Sequence, residues 1–60
     1  MNAIEASADF IMNVIEQAKP IGKFYFIESG IYVSLDNSTG EAWTEEFKTK
    51  KEAVDWLENL

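Results

Sequence analysis

The chain contains no cysteine and no histidine, and it carries one proline, three glycines and only five basic residues among 60. Without cysteine, disulfides and thiolate chemistry are excluded. Without histidine, the commonest metal ligand and the usual general base are missing. No basic segment precedes an uninterrupted apolar stretch in "MNAIEASADFIMNVIEQAKP", so neither a signal peptide nor a membrane span is expected and the chain is assigned to the cytoplasm. The sequence lacks a glycine-rich phosphate loop, a nucleophile elbow and a dinucleotide fingerprint, and no cofactor is expected.

What is present suffices for one small domain, spanning residues 1–60. Apolar residues make up 47% and aromatics 13% of the chain, enough to fold, although a chain of this length buries only about 60% of the surface its unfolded form exposes. Such a core has no staple, and dimerisation is one way to complete it.

Five elements are expected. Asn2 and Glu5 have capping-box spacing, and Ile4, Ala8, Ile11, Ile15 and Ala18 recur at helical intervals, with Phe10 and Val14 widening the stripe. Pro20 and Gly22 end this helix. "KFYFIE" and "IYVSLD" are strand-like runs around Ser29-Gly30, and "EAWTEEFK" is a third. Thr49 and Glu52 make a second capping box, after which Ala53, Trp56, Leu57 and Leu60 define the buried stripe of a closing helix. The fold class expected is α+β, in the order α-β-β-β-α, with a three-stranded antiparallel meander packed by two helices.

The stretch "LDNSTGEAW" holds clustered oxygen ligands. A calcium loop needs oxygens at alternate positions before its glycine and a bidentate Glu further on, and here the glycine arrives one residue early. Asn37-Ser38-Thr39 is a formal glycosylation sequon, meaningful only in a secretory pathway. The expected role is a type I turn with Gly40 left-handed, so that Asn37 opposes Glu41 and Leu35 opposes Trp43. In that register Phe24, Phe26, Ile31, Val33, Leu35, Trp43 and Phe47 share one face. Tyr25, Ile27 and Tyr32 then point away from the helices, if both pack on the same side; one helix on each face is the alternative.

Eleven acidic residues against five basic ones give −6, which disfavours direct contact with nucleic acid through its phosphates. Glu5, Asp9 and Glu16 are expected along one side of the first helix. Glu52, Asp55 and Glu58 behave similarly on the second, relieved by Lys51, while Glu28, Asp36, Glu41, Glu45 and Glu46 line the sheet and its turns. A solvated acidic surface keeps a small protein soluble. The sharper reading is that the carboxylates imitate a phosphate backbone and occupy a basic nucleic-acid-binding groove on another protein, with a fast on-rate. Lys48, Lys50 and Lys51 run against the trend, two of them in a first helical turn where cations oppose the macrodipole. Lys48 is read as guarding an edge strand and the others as solvated. Catalysis is not expected: adjacent Glu45 and Glu46 leave a strand on opposite faces and cannot act as a pair, although Glu45 would titrate high if it were buried on the Trp43 face.

At "GKFYFIESGIYVSLDNSTGEAWTEEF", through Gly30, Tyr32-Val33, Asp36-Asn37, Gly40 and Trp43, the chain resembles small proteins carried by phages and mobile elements of Gram-positive bacteria. Some acidic proteins of that kind inhibit host defence systems, CRISPR nucleases among them. The resemblance implies an anti-CRISPR-like inhibitor of DNA-mimic type and carries over no residue roles. The candidate partner-binding residues are therefore Glu5, Asp9, Glu16 and Glu46 for the acidic surface, and Tyr25, Ile27 and Tyr32 for the sheet face. The expected partner is a protein. A homodimer built on the tyrosine face is the alternative, and a metal-assisted nuclease assembled in an oligomer a third.

Overall fold

The computed structural model describes residues 2–58. Its elements are β1 (Ile4–Glu5), α1 (Ala8–Gln17), β2 (Gly22–Glu28), β3 (Ile31–Asn37), β4 (Trp43–Phe47) and α2 (Lys50–Glu58). The α+β class holds, and β2, β3 and β4 form the antiparallel meander. A short strand, β1, adds to it in parallel alongside β2, giving the sheet order β1-β2-β3-β4.

The first helix begins later than its apolar spacing suggests. Asn2 and Glu5 do not cap it. Ser7 does, in extended conformation, its Oγ accepting the Phe10 N–H at 3.1 Å. The freed residues pair with the sheet instead: Ile4 lies beside Phe24, Glu5 beside Tyr25, and the Ala6 N–H donates to the Tyr25 carbonyl at 2.8 Å. Backbone hydrogen bonding rather than burial holds β1, because Ile4 stays 56% exposed. At the other end Ala18 takes a left-handed conformation (φ 57°), and its N–H donates to the Val14 carbonyl.

Alternation along the strands sends Phe24 and Tyr25 to opposite faces. On one face α1 lays Ile11 and Val14 against Phe24 and Leu35, with the Phe10 and Phe24 rings edge-to-face at 5.2 Å. The Phe24 ring also lies over Gly22, where a Cβ would come within 2.7 Å of it. On the other face α2 buries Ala53 and Leu57, and the Ser34 hydroxyl donates to the Ala53 carbonyl at 3.0 Å. One helix on each face is therefore the arrangement. Thr49 and Glu52 form the expected cap of α2, the Glu52 N–H donating to Thr49 Oγ1; Leu60 lies outside the described residues.

The Ser29-Gly30 hairpin has the expected register. Both residues have positive φ (52° and 79°), the two-residue turn suited to right-twisted strands, and Phe24 meets Leu35 while Phe26 meets Val33. The next turn corrects the expected one. Leu35 opposes Thr44 rather than Trp43, and Trp43 sits beside Asp36. The cause is Asn37, which is fully buried: its Nδ2 donates to the Pro20 carbonyl at 2.9 Å, and its Oδ1 accepts the Ala42 N–H at 3.1 Å. Meeting that acceptor, with Gly40 and Ala42 both left-handed, lengthens the connection by one residue. A shift of one residue reverses every side chain of β4. Trp43 and Phe47 accordingly leave the Leu35 face, and Trp43 is 62% exposed.

Two substitutions test these contacts. Asn37→Ala takes the partner from the part-buried Pro20 carbonyl and Ala42 N–H and is expected to lower stability by about 1–3 kcal/mol in urea unfolding. Ala18→Gly removes the penalty of a left-handed non-glycine residue at an exposed helix end and is expected to raise stability by about 0.5–1 kcal/mol.

Candidate protein-binding surface

The residues expected to bind a partner fall in three places. Asp9 and Glu16 are exposed, seven positions apart on α1, and share one line along its outer ridge roughly 10 Å in length. Glu5 is not with them, contrary to the expected helical row. It belongs to β1, and its pairing with Tyr25 points its side chain to the α2 face. Glu46 stands by Val33 on the α1 face of β4, beside a hollow that Ile31, Phe47, Lys48 and Glu52 also line.

The tyrosine face is not a free surface. Tyr25 is only 7% exposed, lying beneath α2 with Lys50 Nζ 5.9 Å from its ring centre. Tyr32 is half-buried next to Phe47, whose ring meets Trp56 at 5.9 Å. Of the three residues only Ile27, 50% exposed, stays in the open. The physical reason is the second helix, which covers this face because Thr49 starts it directly after β4 and Ser34 lets its backbone approach closely.

The carboxylates are almost entirely solvent-facing. Ten of the eleven are exposed and Asp36 is half-buried. Among the described residues one ion pair is present, Lys51 with Asp55 at 2.7 Å; hydrogen bonding and charge from Asp55 hold the Lys51 ammonium above its usual value. Glu45 is exposed, its Oε1 accepting the Glu46 N–H at 3.2 Å on the outer edge of β4. Among the described residues no group of three or more acidic side chains is close enough to hold a metal ion. Asn37 is no glycosylation acceptor in this fold, since both polar atoms of its buried amide are engaged.

A more apolar concavity lies at the opposite edge of the sheet, beside α1. Ile4, Ala6, Phe10 and Phe24, with Glu5 and Ser7, line a groove of about 420 Å³ along β1 and the start of α1. Phe10 is 37% exposed. Further along α1, Met12 and Ile15 are 60% and 43% exposed. This surface was legible in the sequence: five large apolar residues among the ten of α1 exceed the stripe that one sheet face can cover. The apolar spacing places Phe10, Ile11, Val14 and Ile15 in the core with Ile4 and leaves Met12 outside the stripe; the cap at Ser7 rather than Asn2 starts the helix five residues later and leaves Ile4 to β1.

Burial predicts a contrast within the tyrosine face. Tyr25→Ala is expected to cost about 3 kcal/mol in urea unfolding, as a core truncation. Ile27→Ser is expected to stay within about 0.5 kcal/mol of the parent.

No protein-family model, curated protein or solved structure matches this chain, so its surfaces are assigned from their own chemistry.

Proposed function

We propose that the chain is an acidic protein-binding module whose partner presents a basic surface. The observation that supports this reading most directly is the carboxylate coat: ten exposed carboxylates with one ion pair among the described residues. A net charge of −6 on a body 26 × 24 × 15 Å in extent repels nucleic acid and draws in cationic grooves, speeding encounter. A groove built to hold a phosphate backbone is a cationic cleft of that kind. The resemblance of the hairpin region to phage and mobile-element proteins favours the finer form of the proposal. In that form the chain acts in the cytoplasm as an inhibitor of a host nucleic-acid enzyme or defence nuclease, competing with the enzyme's substrate.

Among the described residues no helix is long and apolar enough to cross a membrane. A homodimer through Tyr25, Ile27 and Tyr32 gains no support, because α2 already occupies that face.

The test is competition with a DNA duplex for basic nucleic-acid-binding proteins at low and at high salt. Displacement at low salt that fades steeply with added salt is expected. The double variant Asp9→Asn, Glu16→Gln is expected to weaken it about threefold to tenfold, losing two charges from the α1 ridge. Displacement indifferent to both salt and charge, or none at all, would refute the proposal.

A further inference from the structure

We infer that the open edge of β1 is a docking site for an extended basic segment of another protein, which adds to the sheet as a fifth strand and seats one large apolar side chain in the groove beside it. This deepens the proposed function and rests on it.

The two edges of the sheet are unlike. On β4 the outward N–H of Glu46 is taken by the carboxylate of Glu45, and the hollow beside that edge has Lys48 among its lining residues, a charge that opposes a basic newcomer. Edges blunted in this way resist pairing. On β1 the Ala6 N–H is turned inward to Tyr25, so the strand pattern turns the N–H and carbonyl of Glu5 outward. Neither has a partner among the described residues. An edge with free backbone groups and an adjoining apolar pocket has the two parts of strand addition: main-chain bonds give affinity and the pocket selects a side chain.

The pocket is present. Ile4 and Phe10 are 56% and 37% exposed, and with Phe24 they wall the groove immediately beside the free edge. Charge then decides the occupant. Glu5 borders the groove from β1 with its side chain directed to the α2 side of the same strand, Asp9 stands in the first turn of α1 next to Phe10, and Glu58 reaches the start of the strand, where its carboxylate accepts the Ala3 N–H at 3.4 Å. A second copy of the chain would bring −6 against −6 and set Glu5 near its own counterpart. An extended segment with lysine or arginine on either side of an apolar anchor instead meets opposite charge at each flank.

The experiment titrates the full chain with a synthetic peptide alternating lysine and valine about a central leucine, following backbone amide shifts. Shifts are expected at Ile4, Glu5, Ala6 and Phe10, with loss of binding when alternate peptide nitrogens are methylated. Ile4→Lys, at an exposed position, is expected to weaken the peptide about tenfold by removing apolar contact and adding like charge. Glu5→Pro removes an outward N–H, which an edge strand tolerates, together with the Glu5 carboxylate, and is expected to weaken the peptide more than Glu5→Gln does, with the fold retained in both. Shifts confined to the α1 ridge or β4, indifference to methylation, or absence of binding would overturn the inference. Concentration-dependent doubling of mass abolished by Ile4→Lys would overturn it in favour of a second copy. If the wild type displaces DNA from a basic protein and Ile4→Lys does so equally well, the edge site fails while the protein-binding function stands. If the wild type displaces none, the function itself fails.

Discussion

The buried amide of Asn37 is the contact on which the arrangement of this small sheet depends. It has no solvent to fall back on, so both of its polar atoms must be matched inside the protein, and the matches come from two separate connections, Pro20 after α1 and Ala42 before β4. One side chain thus ties the end of the crossover to the turn that sets the register of the last strand. Because side chains alternate along a strand, that register also decides which aromatic residues reach which helix. Phe47 meets Trp56 under α2, and Trp43 is left outside.

The second organising feature is a sheet shared by two helices. Neither face alone could bury much in so short a chain, and the core is divided accordingly: Ile11, Val14, Phe24 and Leu35 on one side, Tyr25, Ser34, Ala53 and Leu57 on the other. The Ser34 hydroxyl allows the α2 backbone to sit close without stranding a polar group. Dividing the core leaves each helix short, and α1 has more apolar side chains than its half of the sheet covers. Part of the excess, Phe10, lies beside β1 with Ile4, and Met12 and Ile15 stay exposed further along the helix.

Charge and apolar surface therefore meet in one region. Carboxylates spread over a small body act at a distance and bring a cationic partner close. They do little to fix its position, since exposed charges are screened and loosely held. In the proposed binding mode position comes from short-range contacts, which the groove of Ile4, Phe10 and Phe24 beside the β1 edge would supply. The two features complement each other in range.

Much of the local structure is legible in the sequence. Ser29-Gly30 specifies its hairpin because both residues adopt positive φ and the strands on either side are β-branched and aromatic. Thr49 and Glu52 specify the start of α2 through hydrogen bonds spanning three residues. β1 was hidden, since two residues carry no periodicity and their partner, Phe24, lies twenty positions away. The register of β4 was hidden for the same reason: the choice between a four-residue turn and a longer one depends on Pro20, which no local pattern connects to Asn37. Among the site residues, exposure of the carboxylates followed from composition alone, whereas the burial of Tyr25 required knowing where α2 packs. By itself the sequence determined element types, the first hairpin and the acidic surface, all of which arise from interactions within a few residues. Only the tertiary structure decided the parallel edge strand, the face taken by each helix and the grouping of Ile4 with Phe10, because each is set by contacts between segments distant in the chain.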